Sequence, residues 1–174
     1  EHFKKKDELL KSPENMIFGF LIKCFDTFHN VILHNLDYNS PVKNNISYLF
    51  LKELEDNSIL KNILDYAKDN SPENYSVLNC YYKMYKALSG NDNVEYFNEF
   101  KNNLSENSSL FSEKELRELY NGLLTSFGNR KFTTNNFAEE YFSIIKIGFK
   151  NKIIQNPDGT IDPGAFTSIV NVSC

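Results

Sequence analysis

The sequence is poor in the residues that mark tight turns and nucleic-acid binding. Its 174 residues include no tryptophan, five prolines and seven glycines, too few for the closely spaced turns of a β-sandwich. Only two of its nineteen basic residues are arginine, and the net charge is −4. Because phosphate binding requires a clustered basic surface, this composition argues against nucleic acid as a partner.

Motifs of reactive chemistry are also missing from the sequence. The three cysteines, Cys24, Cys80 and Cys174, lack the CxxC spacing of zinc and dithiol sites. The HExxH, GxSxG, GxGxxG and Walker patterns do not occur. We therefore predict a protein that is not an enzyme, with no catalytic residue, no cofactor and no bound metal. Cys24 and Cys80 lie in apolar helical runs, where cysteine usually serves as a small core side chain. Because cysteines of this kind are not paired in disulfides, we expect the reducing cytoplasm as the location.

The most apolar stretch is "NMIFGFLIKCFDTFHNVILHNL", residues 15–36. Polar residues interrupt it at Lys23, Asp26, His29 and His34, which argues against a membrane span. Its apolar residues run nearly all round a helix, so Met16 to Leu36 is predicted to be a central, buried helix. The pair Asp26 and His29 is too small a donor set for a metal, and His29 is expected to be partly buried and hydrogen-bonded.

Aromatic residues and helical periodicity are what the sequence has in abundance. Fifteen phenylalanines and ten tyrosines supply a core, and apolar residues recur every three or four positions between Ser40 and Lys152. This pattern predicts one all-α domain over residues 1–174, with about seven to eight helices. We expect N-terminal helices in 1–37, three antiparallel hairpins in 40–152 (41–55 with 57–69, 72–89 with 92–104, 113–128 with 134–152), and the start of a further repeat at 162–174. Because the sequence ends within a helical pattern, we expect a fragment of a longer chain.

The tetrapeptide "SPEN" occurs twice, at residues 12–15 and 71–74. Serine is a good helix cap, proline suits the first helical position, and glutamate is favourable near the positive end of a helix. The sequences that follow the two copies differ. We interpret both copies as helix starts rather than as a duplicated active site.

The stretch "YYKMYKALSGNDNVEYFNEFKNNL" carries an aromatic first helix, a glycine-containing turn and a second helix with spaced aromatics. It resembles a tetratricopeptide-type hairpin, and the resemblance covers about residues 70–174. The chain is similar to divergent, largely uncharacterised bacterial proteins built from such repeats. The resemblance implies an α-α superhelix whose first helices line a concave groove for a protein or peptide partner.

On that resemblance, the polar positions and one aromatic anchor of the long helices are the candidate groove residues. They are Asn79, Tyr82, Lys83, Lys86, Arg117 and Asn121. The leading functional expectation is a non-catalytic interaction or scaffolding module. Two alternatives stay open: a regulatory or substrate-binding domain of a larger enzyme, and a structural spacer.

Two glycines in the last part of the sequence, Gly148 and Gly159, have different predicted roles. The segment "NPDGTID" resembles the middle of a calcium loop, but aligning Gly159 with the obligatory glycine places Ile154 and Ala165 at the two strongest ligand positions. We therefore expect a tight turn through Asp158 and Gly159. Gly148 lies in the apolar stripe of the last hairpin, where the missing side chain would permit another helix to approach closely.

Overall fold

The computed structural model describes residues 12–38, 45–89, 94–128, 137–155, 158–161 and 163. Within these ranges the chain forms seven α-helices and no β-strand: α1 (Pro13–Tyr38), α2 (Ile46–Asp56), α3 (Ile59–Asn70), α4 (Pro72–Ser89), α5 (Val94–Asn107), α6 (Glu113–Gly128) and α7 (Phe137–Lys150). A short 3-10 helix, Ser108–Leu110, precedes α6. The predicted all-α class is confirmed. The predicted further repeat at 162–174 lies outside the described residues, except for Pro163.

The helices that were expected to pair do pack against each other. Contacts join α2 with α3, α4 with α5, and α6 with α7. The bounds of α4 match the predicted first helix of the middle hairpin. The start of α6 is fixed by a reciprocal cap: the Ser112 hydroxyl accepts from the Glu115 amide at 3.3 Å, and the Glu115 carboxylate accepts from the Ser112 amide at 2.9 Å.

The central helix is α4, which contacts α1, α3, α5 and α6. Its apolar residues cover more than half of its circumference, so it can bury side chains toward several neighbours at once. Leu78, Tyr81, Met84 and Tyr85 are all at most 2% exposed. These residues form the middle of a single core that extends through all seven helices.

The prediction that Met16 to Leu36 forms the central, buried helix is wrong. One side of α1 is buried through Phe18, Leu21, Phe25 and Phe28, against α2 and α4. Met16 and Phe20, however, are each 57% exposed. An apolar circumference shows that a helix can be buried on all sides, but the other described helices cover only part of α1.

Both copies of "SPEN" begin helices, as predicted, because α1 starts at Pro13 and α4 at Pro72. The Ser12 hydroxyl accepts a hydrogen bond from the Asn15 amide at 3.2 Å. The two copies also touch, since the Asn74 side-chain amide donates to the Asn15 side-chain oxygen at 3.1 Å. Further along both helices the Phe28 and Tyr85 rings meet edge to face, so α1 and α4 run parallel.

Gly148 has the packing role that its place in the sequence indicates. A β-carbon at this position would lie 2.8 Å from the Tyr120 hydroxyl oxygen and 2.9 Å from the adjacent ring carbon. It would also lie 3.0 Å from a methyl carbon of Ile154. The absent side chain therefore lets α7 approach Tyr120 of α6 and the segment after α7.

Candidate functional site

Four of the predicted groove residues lie on α4, and three of them, Tyr82, Lys83 and Lys86, contact another helix. The Tyr82 ring packs at 6.3 Å from the Phe25 ring of α1. The Lys83 ammonium pairs with Glu99 of α5, and the Lys86 ammonium pairs with Glu55 of α2. These side chains thus take part in holding α4 to its neighbours.

We call Glu55, Lys83, Lys86, Tyr96 and Glu99 the lysine cluster. The ammonium groups of Lys86 and Lys83 lie 4.8 and 6.0 Å from the centre of the Tyr96 ring, so cation–π attraction adds to the two ion pairs. Burial opposes the charge of Lys86, but the hydrogen bond to Glu55 and its negative charge outweigh burial and raise the pKa of the ammonium. A lysine nucleophile needs a lowered pKa, and the pKa of Lys86 is raised. The ion pairs of the cluster instead join α4 to α2 and α5.

The other predicted groove residues do not join this cluster. Arg117 donates to the Ile153 carbonyl at 2.7 Å and pairs with Glu113 one turn earlier on α6 at 2.9 Å. Asn121 is exposed, and Asn79 is half-buried. The helical pattern identifies five of the six as polar positions outside the apolar stripes and Tyr82 as an aromatic anchor, but it does not show which neighbour covers each of them.

An apolar surface that the sequence pattern did not indicate lies at the start of α1. Met16, Ile17 and Phe20 are each about half exposed, as is Tyr66 of α3. The Phe20 ring makes an edge contact at 5.5 Å with Phe50 of α2. We call Met16, Ile17, Phe20, Phe50, Ile63 and Tyr66 the apolar face. The helical pattern contained these residues, but it assigned those of α1 to the core.

A cavity of about 270 Å³ opens within the apolar face, between α1 and α3. It is lined by Glu14, Ile17, Phe18, Asn62, Ile63 and Tyr66. The Glu14 carboxylate accepts hydrogen bonds from the Tyr66 and Ser12 hydroxyls, both at 3.2 Å. In the described part of the chain this carboxylate has no cationic partner. The negative charge of Glu14 raises the pKa of Tyr66, so the phenol stays protonated and able to donate.

By length and composition, α1 is also apolar enough over Pro13–His34 to cross a membrane. It is the only such helix in the ranges that the structure describes. Core helices of water-soluble proteins and signal sequences have the same properties, and one side of α1 is part of the core.

His29 is more deeply buried than the sequence indicated. It is 2% exposed, and its Nε2 atom has no hydrogen-bond partner among the described residues. Its Cε1 atom lies 3.7 Å from the position that a β-carbon on Gly122 would take. The expectation of a hydrogen-bonded, partly buried histidine is therefore wrong for this nitrogen. No group of described His, Cys, Asp and Glu residues has an arrangement that could hold a metal ion.

Acidification is expected to lower the free energy of unfolding through His29, because burial lowers the pKa of its imidazole although Asp26 opposes this shift. Above the ordinary histidine pKa of about 6.5, the ring is neutral in both states. Below that value the imidazole is protonated in the unfolded chain but stays neutral in the folded protein. The free energy of unfolding therefore falls by up to about 1.4 kcal/mol per pH unit until the folded-state pKa is reached. Urea denaturation at about pH 7.5 and 5.5 measures the change.

The matched variants for this pH experiment are His29→Leu and His34→Leu, because His34 lies on the same helix and is exposed. Only His29→Leu should reduce the loss of stability in acid. Glu118 has the opposite effect on stability in acid. Burial, and next the charge of Asp26, raise its pKa, so its protonation stabilises the folded state as the pH falls. An equal pH dependence in wild type and His29→Leu would contradict the assignment to His29.

The segment after α7 forms the predicted turn. Gly159 has a φ of +83°, which glycine adopts without strain, and Gln155 and Ile161 close the turn through an antiparallel bridge. The Asp158 carboxylate accepts from the Thr160 hydroxyl at 2.6 Å and from its amide at 2.9 Å. These bonds lower the pKa of Asp158 and use the carboxylate to shape the turn.

Comparison of the chain with protein-family models, with curated proteins and with solved structures finds no significant match.

Proposed function

We propose that the chain is a non-catalytic protein-interaction module that binds a protein partner through the apolar face. The observation that carries the proposal is a group of large apolar side chains that are exposed at the start of α1, next to a cavity that α1 forms with α3. Met16 and Phe20 are each 57% exposed, and Tyr66 and Ile63 extend the same surface around a cavity. Contiguous apolar surface of this kind typically marks an interaction site.

The tetratricopeptide-like arrangement is part of the proposal. Support comes from the last two hairpins, α4–α5 and α6–α7, because their first helices, α4 and α6, contact each other. The second helices also touch: Lys101 of α5 donates to the Ser143 hydroxyl of α7 at 3.3 Å, and Lys150 donates to the Ser105 carbonyl at 3.4 Å. A stack of helical hairpins produces such contacts, with the first helices in one layer and the second helices in the other.

The chemistry of the described residues favours binding over catalysis. Burial raises the pKa of both the Cys24 and Cys80 thiols, which disfavours the nucleophilic thiolate form at neutral pH. Both lysines of the lysine cluster are paired with carboxylates. A protein partner is favoured over a lipid surface because Glu14, which has no cationic partner among the described residues, places a negative charge at the cavity mouth. Anionic headgroups would be repelled by this charge.

Photo-crosslinking in the native cell tests this function, with a benzophenone amino acid placed at Phe20 or at Asn121. Position 20 reports on the apolar face, and position 121 reports on the groove predicted from the sequence. We expect position 20 to crosslink one defined segment of another protein, and the additional substitution Met16→Ser to reduce the yield. Crosslinks from position 121 alone would favour the groove. Lipid adducts, self-crosslinks or no adduct at position 20 would overturn the proposal.

A further inference from the structure

We infer that the cavity between α1 and α3 takes an apolar anchor side chain of a helical partner, while Glu14 pairs with a lysine or arginine one turn away on that partner. The inference rests on the proposed function and adds the chemical class of the partner. It combines three observations: the size of the cavity, the character of its walls, and the state of the carboxylate at its mouth.

The size of the cavity suits a single side chain. An enclosed apolar cavity of about 150 Å³ can already bind benzene, so about 270 Å³ has room for a leucine, methionine or phenylalanine side chain. Ile17, Phe18 and Ile63 form the apolar part of its lining. An apolar group that enters here gains burial without leaving any buried polar atom unpaired.

The mouth of the cavity sets the charge of the partner. Glu14 accepts hydrogen bonds only from two neutral hydroxyls among the described residues, those of Ser12 and Tyr66. A cation brought to this carboxylate would form a charge-assisted hydrogen bond. The other polar lining residue, Asn62, is neutral and exposed. The site therefore favours a basic partner over an acidic one.

The surface next to the cavity favours a helix over a small molecule. Met16 and Phe20 stand one turn apart on α1, so they continue the apolar surface along the helix beyond the cavity. An amphipathic helix presents anchors at just this spacing, with charged residues beside them. The expected partner is thus an amphipathic helix with an apolar anchor in the cavity, a second apolar residue near Phe20, and a basic residue near Glu14.

Selection from a randomised helical peptide library tests the inference, with the folded wild-type chain and its Glu14→Lys variant as separate targets. Peptides enriched on wild type should carry Leu, Met or Phe with Lys or Arg three or four positions away. Peptides enriched on Glu14→Lys should keep the anchor and replace the base with Asp or Glu. No enrichment, or the same charge preference on both targets, would overturn the inference.

A binding measurement with an enriched peptide completes the test. Glu14→Gln should weaken its binding about three- to fivefold, the scale of an exposed ion pair, and should not affect a peptide whose base is replaced by glutamine. Ile63→Trp, which fills the cavity, should abolish the binding of both peptides while the thermal midpoint stays within a few degrees. Equal binding to wild type and Ile63→Trp would contradict the cavity assignment. If position 20 crosslinks a protein but the peptide selection and binding measurements give the contradicting results, the inference is wrong and the proposed function still stands.

Discussion

Replacing Phe25 by alanine is expected to lower the free energy of unfolding by about 3–5 kcal/mol, the usual cost of emptying a phenylalanine site in a core. Phe25 is 0% exposed, and its ring lies 5.6 Å from the Tyr85 ring and 6.3 Å from the Tyr82 ring of α4. The variant removes both aromatic contacts and leaves a cavity between α1 and α4. Because small domains have a total stability of about 5–15 kcal/mol, the loss is readily measured by urea denaturation.

Phe20→Ala is the matched control for this variant, because it makes the same chemical change on the same helix. Phe20 is 57% exposed and keeps only an edge contact with Phe50, so we expect a cost of about 1 kcal/mol or less. The comparison tests whether α1 is part of the folded core. Equal, small effects of the two substitutions would show that α1 does not pack on α4 in solution, and would favour a separate role for this apolar helix.

Gly148→Ala is expected to destabilise the protein by about 1–3 kcal/mol through overpacking, partly offset by up to about 1 kcal/mol of improved helix propensity. The new methyl group would lie 2.8 and 2.9 Å from the hydroxyl oxygen and adjacent ring carbon of Tyr120. Tyr120 is 3% exposed, so its ring has little room to move. Denaturant midpoints of variant and wild type measure the difference.

Gly19→Ala provides the opposite case, because a β-carbon on Gly19 of α1 would meet nothing within 4 Å. The same glycine-to-alanine change should here stabilise the protein by about 0.5–1 kcal/mol, since alanine loses less backbone entropy in a helix. The two variants should therefore shift the midpoint in opposite directions. A stabilised Gly148→Ala variant would show that α7 does not pack closely on Tyr120.

Local signals in the sequence predicted where helices begin and which glycine is needed for packing. Pro13 and Pro72 each follow a serine and start α1 and α4 as expected, because first-turn preferences depend only on neighbouring residues. Gly148 was identified from its place in an apolar stripe. The turn at Asp158 and Gly159 was likewise predicted from local chemistry.

Relations between distant residues could not be predicted in the same way. The exposure of Met16 and Phe20 depends on which helices lie beside α1, and periodicity describes only one helix at a time. The partners of Lys83 and Lys86 lie on α5 and α2, sixteen and thirty-one residues away along the chain. The exposure of the apolar face could therefore not be read from the sequence, and the groove residues stay a prediction.

The hydrogen bond between Asn15 and Asn74 has a consequence for the order of folding. These residues are 59 positions apart, whereas the hairpins α4–α5 and α6–α7 join neighbouring segments of the chain. Closing a long loop costs conformational entropy before its contacts are gained, and non-local contacts slow folding. We expect the local hairpins to form first and the docking of α1 beside α4 to complete the core, so that the apolar face is assembled in the last step.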